Sequence, residues 1–267
     1  MKASRYRYPD ESATFYQTIF LVALVILLTS SATFFGSAIF VGLVLLIAYS
    51  ANRSHHDDLI NQGMLVTSKT LPELNKLVES CAARLNIRDY QVYVIRSHQR
   101  NAYTFGIHNP KVIVLYSSLL EIMDRDELAF IIGHEMGHIH LGHTQLNSLI
   151  GGMAGIPSSG LASLLLRIAF LKWNRSCEYS ADRAGMIVNR NPQKAISALV
   201  KLIAGNSGNT AEGFKLAYQQ IDAQDDTWIG NLSESFASHP LIIRRIQQIR
   251  QFSQTALFSE LTKTDGS

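Results

Sequence analysis

The sequence predicts an α+β protein that is mainly helical, contains a small antiparallel sheet and begins with an N-terminal transmembrane helical hairpin. Three observations predict this class. A long uncharged stretch lies near the N-terminus, several segments repeat apolar residues at the helical period, and two short segments rich in Val, Ile and Tyr flank turn-prone residues. The 267 residues suffice for one well-buried domain plus an accessory segment, and the 47% hydrophobic content is ordinary for a globular protein.

The uncharged stretch comprises residues 15–51, a run of 37 residues that exceeds the roughly 20 needed for one membrane-spanning helix. A cluster of Ser and Thr near its middle divides it into residues 15–28 and 34–49, each near the lower limit for one span. A hairpin of two spans is the favoured interpretation. A single tilted signal anchor, which would export the rest of the chain, is the alternative.

Basic residues flank the hairpin on both sides, with Lys2, Arg5 and Arg7 before it and Arg53 after it. The positive-inside rule then places both flanks in the cytoplasm. We therefore expect the domain that follows the hairpin to be cytoplasmic.

This reading divides the chain into five parts. They are an N-terminal cytoplasmic segment (residues 1–14), the hairpin (15–51), a polar linker (52–70), a folded domain (71–261) and a disordered tail (262–267).

Charge and cysteine content argue against two classes of protein. The formal net charge is only +3 and no stripe of Lys and Arg is present, so a nucleic-acid partner gains no support. The spacing of Cys81 and Cys177 suggests neither a disulfide framework nor a cysteine metal site. We expect both thiols to be reduced and packed.

Local patterns predict the elements of the first half of the domain. Residues 71–85 repeat apolar side chains at the helical period, and residues 91–96 and 111–116 read as strands of the antiparallel sheet. Asp124 followed three residues later by Glu127 resembles a capping box, which opens another helix.

The second half of the domain is predicted to be helical over residues 173–189, 193–204 and 240–252. Residues 146–173 are apolar but interrupted by glycines and a proline. They read equally well as a core helix or as a helix held near the membrane surface, and the sequence leaves both open.

The helix that Asp124 opens carries a His-Glu-x-x-His string from His134 to His138. Imidazoles four residues apart on a helix project from the same face and can chelate one ion, while Glu135 can accept a proton from a metal-bound water. Gly133 and Gly137 each cost about 1 kcal/mol relative to Ala inside a helix, a cost that a metal site and close packing could offset.

A catalytic zinc site takes three protein ligands and leaves a fourth position for water. The metzincin continuation fails, because Leu141 and Thr144 stand where Gly and His are required. Glu178, which follows His138 by 40 residues, can supply the third ligand, and Asp182 on the same helix face can accept the N–H of a ligating imidazole. A simple surface charge cluster is the alternative reading.

Several segments, in the same order, resemble the HtpX-like and CAAX-prenyl-protease-like zinc endopeptidases of the gluzincin type. The resemblance covers roughly residues 71–249 and implies a zincin-like metalloprotease domain. The N-terminal hairpin is similar to the bacterial HtpX arrangement, which implies a bacterial inner membrane. The matching segments are Asn101-Ala102-Tyr103, His134 to His138, Arg175 with Glu178-Tyr-Ser-Ala-Asp182-Arg-Ala-Gly185, and Ser238-His239-Pro240 with Arg245-Ile246.

The resemblance also implies roles for individual residues. Asn101 and Ala102 would lie on an edge strand that binds the substrate backbone, and His239 and Arg245 would approach the cleft to stabilise the oxyanion or hold the ligands. One Zn²⁺ per chain would be bound. The zinc ligands would be His134, His138 and Glu178. Glu135 would be the general base, and Asp182 would be the carboxylate that supports a ligating imidazole.

The function expected from these residues is that of a membrane-anchored zinc endopeptidase with Glu135 as general base, acting on protein or peptide substrates that are membrane-bound or misfolded. Prenylated peptides are less expected, because a prenyl protease cage needs more membrane segments than this sequence offers. The alternative is a non-catalytic membrane adaptor with a structural zinc site, which would fill all four positions with protein ligands.

Overall fold

The computed structural model describes residues 1–32, 36–144, 161–203 and 242–263, and it confirms a mainly helical α+β fold. After a short 3-10 turn (Ala3–Arg5), the helices are α1 (Glu11–Ala32), α2 (Gly36–Gln62), α3 (Pro72–Leu85), α4 (Ser117–Ile122), α5 (Arg125–Leu141), α6 (Leu161–Asn189), α7 (Pro192–Ile203), α8 (Ile242–Ser253) and α9 (Ala256–Lys263). The strands are β1 (Met64–Leu65), β2 (Tyr90–Ile95), β3 (Ala102–Phe105) and β4 (Lys111–Tyr116).

The N-terminal helices α1 and α2 contact each other and leave many large apolar side chains exposed. Among the helices that the structure describes, one segment, Glu11–Leu28, is long and apolar enough to cross a membrane, with a mean hydropathy of 1.7. Such a surface is typical of a helix that contacts lipid. The exposed side chains include Tyr16, Ile19, Phe20, Leu27 and Leu28 on α1 and Ile39, Leu43, Leu46 and Ile47 on α2.

The segment expected to be a polar linker has regular structure over much of its length. Helix α2 continues to Gln62, and β1 joins the sheet beside β2 directly afterwards. The first charged residues after the uncharged run therefore do not mark the end of α2, which continues through them.

The sheet has the order β1-β2-β4-β3 and is mixed, so the expected antiparallel pairing of its two longer strands was wrong. Strands β2 and β4 are parallel, with Val92 opposite Ile113, whereas β3 pairs antiparallel with β4, with Thr104 opposite Ile113. The chain reverses once before β3 and again after it, and these two reversals restore the direction of β2 in β4. Among the described strands, β3 therefore lies at one edge of the sheet.

Helices α5 and α6 approach each other closely along a line of small residues. A Cβ added at Gly137 would lie 2.6 Å from the Cβ of Ala184, and one added at Gly133 would lie 2.8 Å from the Cβ of Val188. A Cβ at Gly185 would lie 2.7 Å from the backbone oxygen of Phe130. The glycines that weaken the isolated helix are therefore the residues that allow this contact.

The main core lies between the sheet and the helices α3, α5, α6 and α7. Both cysteines are buried in the free thiol form, which confirms the prediction of reduced, packed residues. Helix α5 is buried along most of its length, so the side chains of His134, Glu135 and His138 lie inside the protein.

Candidate metal centre

The two histidines of the motif lie one turn apart on α5 and point in the same direction. Their Nε2 atoms are 3.2 Å apart, and both side chains are buried. The helix begins with the predicted capping box, in which the side chain of Asp124 accepts from the backbone of Glu127 and the Glu127 side chain accepts from the backbone of Asp124. The start of the helix is thus fixed by local chemistry.

Helix α6 brings Glu178 to the same point. One carboxylate oxygen of Glu178 lies 3.5 Å from Nε2 of His134, and the other lies 3.5 Å from Nε2 of His138. With metal–ligand bonds of about 2.0–2.2 Å, tetrahedral geometry separates two donor atoms by about 3.3–3.6 Å. The two imidazole nitrogens and the Glu178 carboxylate therefore lie close to the spacing that a zinc ion requires.

Among the residues that the structure describes, one side of this group is left uncovered. The three donors border a cavity of about 360 Å³ that is also lined by Glu135, Arg245 and strand β3. In the part of the chain that the structure describes, no fourth His, Cys, Asp or Glu joins the three donors. The arrangement is that of a site with a position left for water or substrate.

The outward face of His134 is held by a carboxylate and an arginine. Its Nδ1 lies 3.0 Å from Oδ1 of Asp182, and Arg245 donates to both oxygens of Asp182 at 2.8 and 2.6 Å. Arg245 also lies 3.2 Å from Oε2 of Glu178. Since a ligating imidazole needs a partner for its second nitrogen, Asp182 fixes the ring that presents Nε2 to the centre.

Glu135 lies beside the donor group and is held from the sheet. The hydroxyl of Thr104, on the edge strand β3, donates a hydrogen bond to the Glu135 carboxylate. Burial raises the pKa of Glu135, which makes its carboxylate a better proton acceptor near neutral pH. Thr104 was not singled out from the sequence, because only strand pairing brings it next to α5.

The charges of the metal-free centre are set by burial and by its own partners. Burial lowers the pKa of His134, but hydrogen bonds to Asp182 and Glu178 outweigh this effect and raise it to about 9. Burial holds the pKa of His138 well below its ordinary value. Burial raises the pKa of Glu178, but Arg245 and the two histidines hold it well below its ordinary value. In the metal-free protein a proton therefore resides on His134.

Comparison with known proteins agrees with this geometry. The model of peptidase family M48 matches residues 68–253, which is most of the chain. The chain belongs to peptidase family M48. It is therefore a member of a family of metalloproteases, as the sequence resemblance predicted.

Two M48 relatives show the extent of the similarity. The plastoglobule-localized metallopeptidase 48 of the Arabidopsis thaliana chloroplast is 32% identical over 219 residues, which cover 76% of this chain and 63% of that protein. A protease HtpX homolog of Ralstonia nicotianae is 25% identical over 225 residues, which cover 72% of this chain and 78% of that protein. The chain thus spans less than two thirds of the length of the first of these relatives.

The fold is similar to the crystal structure of Ste24p from S. mikatae. The TM-score is 0.53 at 20% sequence identity, and the match covers 90% of this chain and 65% of that one. At this identity the likeness concerns the fold alone. Together with the apolar helix α1, family membership supports a membrane-associated M48 protein.

The remaining predicted site residues are Asn101, Ala102, Arg245 and His239, and the structure describes the first three. Ala102 begins the edge strand β3, Asn101 precedes it, and both line the cavity next to the donors. Arg245 lies on α8, where it contacts carboxylates. His239 lies outside the described residues.

His143 contacts the centre from beyond the end of the motif helix. Helix α5 ends at Leu141, and Gly142 takes a left-handed conformation with φ of 81°, so His143 no longer follows the helical register. Its Nδ1 lies 3.1 Å from Nδ1 of His138. The available signal was Gly142 itself, which is a common helix terminator.

Proposed function

We propose that this chain is a membrane-anchored zinc endopeptidase that binds one Zn²⁺ through His134, His138 and Glu178. The observation that carries the proposal is the arrangement of the donors beside an open cavity: the two Nε2 atoms lie 3.2 Å apart, and each lies 3.5 Å from a different oxygen of Glu178. A structural zinc site would fill the fourth position with a protein ligand, so the open side favours a catalytic site over a membrane adaptor.

The side chains around the donors have the chemistry that peptide hydrolysis needs. When bound, zinc supplies Lewis acidity, which makes a water molecule acidic and polarises a carbonyl group. Glu135 accepts the proton of the attacking water and later passes it to the leaving amine. The Thr104 hydroxyl holds the Glu135 carboxylate in place for both transfers. His239 is proposed to complement the negative charge that develops on the carbonyl oxygen.

The edge strand supports an extended peptide as the substrate. Strand β3 pairs with β4 on one side, and Asn101 and Ala102 line the cavity that borders the donors. A peptide that adds to a sheet edge gains main-chain hydrogen bonds without regard to its sequence. This mode of binding suits an endopeptidase that acts on unfolded or misfolded chains.

The membrane arrangement is part of the proposal. We propose that residues 15–51 form two spans, that the protease domain of residues 71–261 lies in the cytoplasm, and that the membrane is a bacterial inner membrane. The exposed apolar side chains of α1 and α2 and the basic residues on both flanks support this topology. Protein substrates in or near the bilayer follow from that location.

The function is tested by measuring zinc content and casein cleavage with the full chain purified in detergent. We expect one zinc per chain, cleavage that a chelator abolishes, and a Glu135→Gln variant that keeps its zinc but loses at least about 100-fold in turnover. Replacement of Glu178 by Gln should lower the zinc content instead. Undiminished turnover in Glu135→Gln would refute the role of the base, and zinc without any cleavage in the unaltered chain would favour the adaptor.

A further inference from the structure

A row of polar contacts leads from the candidate zinc ligand His138 through His143 to Glu11, at the start of helix α1. Nδ1 of His138 lies 3.1 Å from Nδ1 of His143, and Nε2 of His143 lies 3.1 Å from Oε1 of Glu11. Glu11 is 1% exposed and His143 is 2% exposed. A buried carboxylate at the first residue of a membrane helix therefore reaches the metal centre through one imidazole.

Proton positions along this row follow from the proposed zinc site. If His138 binds the ion through Nε2, its proton resides on Nδ1 and is donated to Nδ1 of His143. A neutral His143 that accepts at Nδ1 must carry its own proton on Nε2. That nitrogen makes no hydrogen bond of standard geometry within the described residues, and the Glu11 carboxylate is an acceptor 3.1 Å away.

We propose that Glu11 and His143 are positioning residues of the metal centre, which orient His138 as Asp182 orients His134. The inference rests on the proposed zinc site. It assigns a role in metal binding to the anchor helix, because α1 supplies the carboxylate at the end of the row. Neither residue touches the metal or the substrate.

Contacts around Glu11 hold the carboxylate in place. The Ser180 hydroxyl donates to Glu11, and the Arg7 guanidinium pairs with it. The backbone N–H of Tyr8 donates to the same Ser180 hydroxyl at 2.8 Å. Since Ser180 lies on α6 between Glu178 and Asp182, the first turn of α1 is fixed to the helix that supplies the third ligand.

A second metal ion is the competing explanation, because Glu11, His143 and Cys177 have donor atoms within 4.8 Å of one another. Two observations oppose it. The Arg7 guanidinium already neutralises Glu11, and burial raises the pKa of the Cys177 thiol, which disfavours the thiolate that binds metals. The row of contacts therefore fits the positioning of His138 better than an ion of its own.

The test is the zinc dissociation constant of the full chain in detergent, measured by competition with a chromophoric chelator. We expect Glu11→Ala and His143→Leu each to weaken zinc binding by about 10- to 100-fold, the usual effect of losing a partner behind a metal ligand. His143→Gln should restore part of the affinity, because an amide can accept from His138 and donate to Glu11. The double variant Glu11→Ala/His143→Leu should bind no more weakly than His143→Leu alone.

Tyr6→Phe is the matched control. The Tyr6 hydroxyl, in the same segment, lies 2.8 Å from Nδ1 of His140, so its loss weakens docking of the segment without touching the row. We expect near-normal zinc affinity in this variant.

Three results would overturn the proposal. These are unchanged zinc affinity in Glu11→Ala, an equal loss in Tyr6→Phe, or two zinc ions per unaltered chain. Failure of the proposed function is distinguishable, because then the unaltered chain binds no zinc or Glu178→Gln binds it as well as the unaltered chain.

Discussion

At the residue scale, each candidate ligand is held by a polar partner, and for His134 and Glu178 these partners also set the charge. Asp182 holds the Nδ1 side of His134, and Arg245 spans Asp182 and Glu178. The two carboxylates thus share one cation, and in the metal-free protein His134 carries a second positive charge between them. Zinc and a proton therefore compete for the same nitrogen, Nε2 of His134.

This competition predicts a pH dependence of zinc binding. The pKa of His134 is raised to about 9, whereas the pKa values of His138 and Glu178 are lowered, so His134 is the ligand that must lose a proton near neutral pH. A protonated imidazole cannot bind zinc, so the apparent affinity should rise by up to about tenfold per pH unit and level off near pH 9. Calorimetry in buffers of different ionisation enthalpy should show release of about one proton at pH 7.

The control for the pH dependence is Asp182→Asn. Loss of the carboxylate that raises the pKa of His134 should move the levelling point to lower pH. An affinity that does not change between pH 6 and 9 would contradict the predicted protonation of His134.

At the element scale, the site depends on how closely α5 and α6 approach. The motif helix supplies two ligands and the base, but Glu178 reaches them only because Gly137 and Ala184 lie face to face with no room for another atom. The local cost of a glycine in a helix is offset by this contact, which decides whether a third ligand is present at all.

The helix contact predicts the outcome of Gly137→Ala. The added methyl would lie 2.6 Å from the Cβ of Ala184 and 3.1 Å from the Cα of Ala181, so the helices must separate. We expect a loss of about 1–3 kcal/mol in the free energy of unfolding and weaker zinc binding. Adding Ala184→Gly to this variant should recover part of both, which melting curves and chelator competition can measure.

Gly42→Ala in α2 is the matched control for helix propensity. A Cβ at Gly42 has nothing within 4 Å, so the change should be neutral or slightly stabilising. Normal stability and normal zinc affinity in Gly137→Ala would contradict the claim that backbone proximity forms the site.

At the scale of the whole molecule, the N-terminal segment that precedes α1 packs against the folded domain. Tyr6 is fully buried, and the backbone oxygen of Arg7 accepts from Arg183 on α6. Helix α1 then continues into a surface of exposed apolar side chains. Because α1 joins the folded domain to this apolar surface, the proposed membrane anchor would place the candidate metal centre close to the membrane surface.

The proposed topology predicts where the two ends of the chain lie. With two spans, both the N-terminus and the domain after α2 face the cytoplasm. Fusions of a reporter that is active only in the cytoplasm, placed at either terminus, should both be active. A silent C-terminal fusion beside an active N-terminal one would instead establish the single signal anchor.

The sequence by itself determined the local features. The capping box at Asp124, the pair of imidazoles four residues apart and the uncharged run of residues 15–51 each depend on side chains that are neighbours along one helix. The family resemblance, confirmed by the match to peptidase family M48, also follows from short sequence motifs that occur in the order typical of the family. Periodicity and motif spacing capture such features because the helix converts sequence distance directly into spatial distance.

Only the tertiary structure decided the contacts that join distant segments. The parallel pairing of β2 with β4, the hydrogen bond from Thr104 to Glu135 and the approach of Glu11 to His143 each connect residues separated by a chain reversal or by an entire domain. No local pattern encodes them, because they arise where elements from distant parts of the chain pack against each other.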